Sequence, residues 1–342
     1  MHNNNLKIAV LWRPGRNVEW QRKFLGKEIP DDAVEEATLH RDGLREVGYQ
    51  AELVEWRGDD LAGMLDELGA GKYDLVFNAS SMQEVSFLEI AGIPFVGSGL
   101  DLVPLDKATR KKLWMFHDIP TAPFVLVDRD ELAGGYVLGV SDVKDPGWRP
   151  KPPLDYPMFV KPVRGRGSSG ISDDSIVEDR AAMAAQAEKV VTRLNQGALV
   201  ESYLQGREVT VGIIGNPPLA LTPLEIEYNQ ARTNTYEHKM DNEIMHVPAR
   251  ISEAQLKNAQ NVAMRAFQAV GARDYARVDT IVDAAGQAYV LELNTFAGLQ
   301  ILTGEEKHLH ASYIGKMAEA MGMNRADVLG RIVGAARGRY GI

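Results

Sequence analysis

The chain contains no cysteine. Disulfides, thiolate nucleophiles and cysteine-ligated metal sites are therefore excluded. It has no apolar run approaching the roughly 20 residues of a membrane-spanning helix. Its opening, Met1-His-Asn-Asn-Asn5, is not a charged segment leading into an apolar one. A cytoplasmic protein with no membrane partner is expected. Positive charge is in the minority: 38 Lys and Arg face 47 Asp and Glu, for a net charge of −9. A nucleic-acid partner, which calls for a basic footprint, is not expected. An anionic small substrate remains open, because a cleft can be locally positive. Repeats and low-complexity tracts are lacking too. What remains is the composition of a soluble globular protein, 342 residues with 45% hydrophobic and 25% charged, enough for two or three packed units.

The first hundred residues alternate strand and helix signals. Strands are expected at Lys7–Trp12, Gln50–Glu55 and Asp74–Asn78, and helices around Ala33–Val47, ending at Gly48, and Glu84–Ala91. This alternation predicts a doubly wound parallel sheet, with ligands at the strand ends near Trp12–Arg16 and Asn78–Ser81. A basic helix over Asp106–Phe116 follows, then a strand at Phe124–Val127. Gly134–Pro157 reads as an irregular insertion. Beyond it come a strand at Met158–Pro162, a helix over Glu178–Asn195, and strands at Ala198–Leu204, Glu208–Ile214, Leu219–Ile226 and Ile244–Val247. A helix over Ser252–Val270, two strands at Tyr275–Asn294, and helices over Leu309–Met321 and Asn324–Ala336 close the chain. The second half thus mixes antiparallel strands with flanking helices. The expected division is 1–104, 105–196 and 197–342.

The densest chemistry lies in Tyr275-Ala-Arg-Val-Asp279 and Leu291-Glu-Leu-Asn294. Alternation along a strand puts Arg277 and Asp279 on one face, and Glu292 and Asn294 on one face. Pairing Asp283 with Ala288 across the turn would set Asp279 opposite Glu292 and Arg277 opposite Asn294. Two carboxylates, an amide and a guanidinium on one patch suit a hard divalent cation that bridges phosphate oxygens; an ordinary ion pair on a solvated hairpin is the plainer alternative. Arg164-Gly-Arg-Gly-Ser-Ser-Gly170 is a glycine-rich loop directly after a strand that ends in Lys161. Glycines let backbone N–H groups approach phosphate, and serines add donors. The order is neither a Walker loop nor a dinucleotide fingerprint. Lys107 offers a second phosphate cation, or else belongs to a solvated helix face. Glu201 and Glu208 flank a strand–turn–strand, placed to bond an adenine amine and a ribose, or are surface charges.

Phe159-Val-Lys-Pro-Val-Arg-Gly-Arg-Gly-Ser-Ser-Gly-Ile-Ser172, Leu199-Val-Glu-Ser-Tyr-Leu204, Arg207-Glu-Val-Thr-Val211, Ala276-Arg-Val-Asp279 and Leu291-Glu-Leu-Asn-Thr295 resemble the ATP-grasp ligases. Within these, the order and spacing are most similar to the D-alanine–D-alanine ligase family, and the likeness extends to Gly92-Ile-Pro-Phe-Val-Gly-Ser98 and Asp106-Lys107. The resemblance implies an ATP-grasp fold: an α/β protein with an N-terminal doubly wound domain and central and C-terminal α+β lobes. It implies that Lys107, Lys161 and Lys239 hold ATP phosphates under the backbone of Ser168 and Ser169. Glu201 and the backbone of Ser202 and Leu204 would read adenine, and Glu208 the ribose. Asp279, Glu292 and Asn294 would bind two Mg²⁺ ions, with Mn²⁺ as a substitute. Arg277 would stabilise the transferring phosphoryl group. A homodimer is implied as well.

The departures from the family concern the amino-acid substrates. Trp12-Arg-Pro-Gly-Arg-Asn-Val-Glu-Trp20 replaces the family's first loop, leaving Glu19, Asp31 or Asp32 as amine anchors. Asn78-Ala-Ser-Ser-Met-Gln-Glu84 stands where the family has a histidine–glycine loop, and Met240 where it has a tyrosine. Thr303 replaces a serine that contacts the second substrate. The expected function is Mg-ATP-dependent carboxylate–amine ligation through an acyl phosphate, on D-alanine, another amino acid or a small peptide. An ATP-grasp kinase and a silent nucleotide-binding regulator are the alternatives.

Overall fold

A computed structural model of the chain describes residues 5–15, 33–69, 71–79, 82–102, 104–128, 137–139, 147, 153–165, 170–228, 243–302 and 311–342. The expected site residues Glu19, Ser168, Ser169, Lys239 and Thr303 lie outside the described residues, as do Asp31, Asp32 and Met240.

The chain opens with β1 (Lys7–Trp12), α1 (Ala33–Val47), β2 (Gln50–Glu55), α2 (Leu61–Gly69), β3 (Leu75–Asn78) and α3 (Met82–Ile90). The strands pair in parallel in the order β2-β1-β3, and β1 and β3 read as near-continuous apolar runs because both faces are covered. Helix α2 is absent from the sequence expectation, although Leu61, Met64, Leu65 and Leu68 recur at helical spacing; Met64 and Leu68 are buried on the sheet.

Next come α4 (Lys107–Phe116), β4 (Phe124–Asp128), β5 (Val137–Gly139), β6 (Met158–Pro162), β7 (Ile176–Val177), α5 (Arg180–Arg193) and β8 (Ala198–Ser202). They build a five-stranded sheet in the order β5-β4-β8-β6-β7. Strand β5 falls inside the stretch read as irregular, so that expectation is corrected: Val137–Gly139 pairs in parallel with Leu126–Asp128. Asp106 caps α4 by accepting from the Thr109 N–H at 2.7 Å.

The third group is β9 (Arg207–Ile214), β10 (Leu219–Ala220), β11 (Leu224–Tyr228), β12 (Glu243–His246), α6 (Glu253–Ala269), β13 (Tyr275–Val282), β14 (Ala288–Asn294), α7 (Tyr313–Ala320) and α8 (Arg325–Tyr340). Its sheet runs β12-β11-β9-β13-β14, with β10 also on β9. The expected single strand at Leu219–Ile226 is two, separated where Pro223 cannot donate to a ladder. Ser252 caps α6 as expected, in a reciprocal box with Gln255.

One core crosses from the first group to the last. Ile8, Val10, Leu44 and Phe77 pack with Ile314, Leu329, Ile332 and Val333. Helices α1 and α8 approach so closely that a Cβ on Gly43 would lie 2.6 Å from Arg325 Cγ and from Leu329 Cδ1, which explains a glycine inside a helix. Asp274 adds a polar clasp. Its Oδ2 accepts from the Gly97 N–H at 2.7 Å and from Arg339 at 2.5 Å.

Candidate active site

Each of the two larger sheets has one apolar face and one chemical face. On the last sheet, Val209, Val211, Ala276, Val278, Val290 and Leu293 face α6. The opposite face follows from the register. Thr210 pairs with Asp279, which pairs with Glu292; Gly212 pairs with Arg277, which pairs with Asn294; Glu208 pairs with Ile281 beside them. On the central sheet, Val125, Val160 and Val200 face α5. Phe124, Phe159 and Glu201 form one cross-strand row on the other side, and Lys161 stands two residues on from Phe159.

The expected rows Arg277–Asn294 and Asp279–Glu292 are present, but the expected start of the ladder is not. Val282, rather than Asp283, pairs with Ala288, and the register shifts between Asp279 and Thr280. Leu291 is the extra residue, a β-bulge beside the functional pairs.

Asp279 is the most engaged group of the site. Its Oδ1 accepts from Thr210 Oγ1 at 2.6 Å and Arg277 Nε at 2.8 Å; its Oδ2 accepts from an Arg277 terminal nitrogen and from Asn294 Nδ2, each at 2.9 Å. Burial works against the Arg277 cation, yet Asp279 outweighs it and holds the guanidinium pKa above its ordinary value. The ring of Tyr313 lies 4.8 Å from the guanidinium carbon. Glu292 meets Lys107 at 3.3 Å, and Lys107 donates to the Gly165 carbonyl at 2.8 Å. Helix α4 thereby ties the entry of the glycine-rich loop to the carboxylate row.

Asp279, Glu292 and Asn294 supply only hard donors, which suits Mg²⁺. Among the described residues no three acidic or histidine side chains converge, so such an ion would take its remaining ligands from phosphate and water. A carboxylate has about four lone-pair positions, and all four on Asp279 are engaged. An ion there must displace a donor, and turning the Asn294 amide by half a revolution removes one and offers an oxygen in its place.

Glu201 is buried and carries two lysines. Lys161 Nζ donates to Oε1 at 2.5 Å, and Lys111 Nζ lies 3.0 Å from Oε2. Burial alone would raise the Glu201 carboxyl; Lys111 and then Lys161 hold it below its ordinary value. Lys111 is fully buried, which lowers its pKa to about 8 against the pull of Glu201. Sequence reasoning missed it, treating this helix face as solvated beyond Lys107. The signal was present, because Lys111 falls in the buried stripe Ala108–Lys111–Trp114. Thr210 was missed too, although it shares a strand face with Glu208.

Just beyond Glu201, the Ser202 N–H donates to the Pro123 carbonyl at 3.0 Å. Proline has no N–H to return the bond, so the Ser202 carbonyl gains no ladder partner from Pro123. That is a backbone acceptor suited to an exocyclic amine. Leu204 and Glu208, both half-buried, continue the same edge. In the first sheet, Arg13 at the end of β1 donates to Gln83 at 3.0 Å and lies 3.7 Å from the buried Glu84. The ends of β1 and β3 thus carry charge where ligands were expected, and Phe296, two residues past Asn294, packs against the same group.

The family profile described as D-ala D-ala ligase C-terminus matches residues 113–334. A D-alanine–D-alanine ligase of Pelotomaculum thermopropionicum is 31% identical over 264 residues, covering 75% of this chain and 76% of that protein. One from Acinetobacter baumannii is 28% identical over 268 residues, covering 75% and 79%. Two solved structures of the Bacillus anthracis D-alanine–D-alanine ligase superpose over 98% of this chain and 99% of theirs. The first has a TM-score of 0.71 at 20% identity; the second, complexed with ATP, has 0.65 at 19%. The fold is that of the ATP-grasp enzymes, among which the D-alanine–D-alanine ligases form carbon–nitrogen bonds with release of ADP. Within that class, the chain belongs to the D-alanine–D-alanine ligase family.

Proposed function

We propose that this ligase activates an amino-acid or small-peptide carboxylate as an acyl phosphate and passes it to an amine. The observation that carries the reading is the row Arg277–Asp279–Glu292–Asn294, joined through Lys107 to the glycine-rich loop. A carboxylate is a poor electrophile, and γ-phosphoryl transfer gives it a leaving group. Little covalent work falls to the protein, so positioning and charge neutralisation suffice. Lys107 and Lys161 would hold phosphates, with Ser168, Ser169 and Lys239 closing over them. Arg277 is pre-oriented by Asp279 and Tyr313, and would meet the charge on the transferring group and later the oxyanion of the tetrahedral intermediate. Asp279, Glu292 and Asn294 would hold two divalent cations, which neutralise phosphate charge when bound. The Ser202 carbonyl, the Leu204 N–H and Glu201 would read the base, and Glu208 the ribose.

The substrate half is read as re-aimed from D-alanine towards another amino acid or a small peptide. Arg13 stands at the end of β1 in a segment that departs from the family's first loop, with Glu19 and Thr303 assigned to substrate. A cytoplasmic homodimer completes the proposal. The test is ADP release with Mg-ATP and D-alanine, then with pools of amino acids and dipeptides, followed by product mass. An amide product with an acid–amine pair other than two D-alanines is expected. D-alanyl-D-alanine as the main product would overturn the re-aiming, and ADP release without an amine would overturn ligation.

A further inference from the structure

Lys111 has no role in the reaction described so far, yet it is a fully buried cation held on several sides. Its Nζ lies 3.0 Å from Glu201 Oε2, donates to Thr121 Oγ1 at 2.6 Å, and sits 5.5 Å from the centre of the Phe124 ring. Thr121 in turn donates to the Val290 carbonyl at 2.7 Å. A flexible side chain is thereby pinned at both lobes. The other cation on Glu201 is differently placed. Lys161 also meets its carboxylate, through Oε1, but stands on the strand that leads into the glycine-rich loop.

We infer that Lys111 is a positioning residue, the fixed counter-ion of Glu201 that allows Lys161 to exchange between that carboxylate and nucleotide phosphate. The inference rests on the nucleotide reading above. When Lys161 turns to phosphate, Glu201 would otherwise be a buried carboxylate without a partner, and stranding such a charge is strongly unfavourable. With Lys111 in place, Glu201 stays ionised and oriented. Its Oε1, vacated by Lys161, then becomes an acceptor for the amine of the base. Phosphate capture and base reading are coupled through one carboxylate, and Lys111 makes the exchange affordable.

The test compares ATP and adenosine binding by titration calorimetry in wild type, Lys111→Met, Glu201→Gln and the double variant. Adenosine has no phosphate to draw Lys161 away, so Glu201 keeps both lysines and the base is read through the backbone of Ser202 and Leu204 alone. Lys111→Met is expected to weaken ATP binding by at least about tenfold, while adenosine binding changes by less than about threefold. In the Glu201→Gln background, Lys161 is no longer held by charge, so adding Lys111→Met should leave the ratio of the two affinities unchanged. This second comparison carries the test if the single Lys111 variant does not fold. An equal loss for both ligands would mean a collapsed site and would overturn the inference, as would unchanged ATP binding. Wild-type protein that binds neither ligand would overturn the nucleotide reading as well, which separates the two failures.

Discussion

Arg277 grips both carboxylate oxygens of Asp279, its neighbour two residues along the same strand. Such a bidentate pair fixes the guanidinium plane as well as its charge. Lysine keeps the charge and loses the fork. Arg277→Lys is therefore expected to lower turnover by about 10²–10³-fold while changing ATP affinity by less than about tenfold. Steady-state ADP release beside nucleotide titration separates the two effects. Equal losses in both would show that Arg277 serves binding alone.

Asp279→Asn removes the anion while leaving a side chain of the same shape against Thr210 and Arg277. ADP formation should fall by at least about 10³-fold, and the thermal shift produced by Mg²⁺ should disappear. Turnover at the wild-type level would sink the metal assignment.

Gly206 lies in the connection between β8 and β9. A Cβ there would stand 2.3 Å from the Val282 carbonyl oxygen, and a backbone atom cannot move aside as a flexible side chain can. Gly206→Ala should destabilise the protein by about 1–3 kcal/mol. A lowered urea midpoint at unchanged slope is the expected signature.

Glu225 on β11 is buried and accepts from Arg207 at 2.7 Å and from the Arg250 N–H at 2.9 Å. Burial opposes its charge, but the Arg250 side chain, then its N–H and Arg207, outweigh it and hold the pKa at about 2, below the ordinary 4.5. A lowered carboxyl pKa contributes stability that is fully present above about pH 4.5 and is lost as pH falls towards 2. The shift corresponds to about 3 kcal/mol at most. Glu225→Gln should flatten the acid limb of a stability–pH curve in that window, and an unchanged limb would show that the pair contributes nothing.

The parts of the site that the sequence made legible are those fixed by alternation. Arg277, Asp279, Glu292 and Asn294 are two residues apart on their strands, and any antiparallel hairpin would bring them near one another. The bulge at Leu291 was not legible, because an extra apolar residue in a strand looks like any other. The expected turn pairing was therefore off by one at its start and right at its functional end. Lys111 was hidden for a different reason. Its solvent exclusion depends on Thr121 and Glu201, ten and ninety residues further along the chain, and only tertiary packing distinguishes a buried lysine from its exposed neighbour Lys112. Strand β5 was missed because three residues are too few to show a period, whereas helix α2 was missed although Leu61, Met64, Leu65 and Leu68 recur at helical spacing.

The contact between Thr121 and Val290 has a mechanical consequence. Thr121 and Val290 form an isolated parallel bridge, with the Val290 N–H on the Pro120 carbonyl at 2.8 Å, and α4 is fastened beside it through Arg110 to the Leu293 carbonyl and Trp114 to the Ala266 carbonyl. These bonds fasten α4 and the segment that follows it to the last sheet and to α6. Lys111 is bonded to Thr121 and sits at this fastening. Lys107, one helical turn away, reaches Glu292 and the entry of the glycine-rich loop. On the proposed reading, phosphate would be gripped at the loop end of α4, while the charge beside Glu201 is anchored one helical turn away.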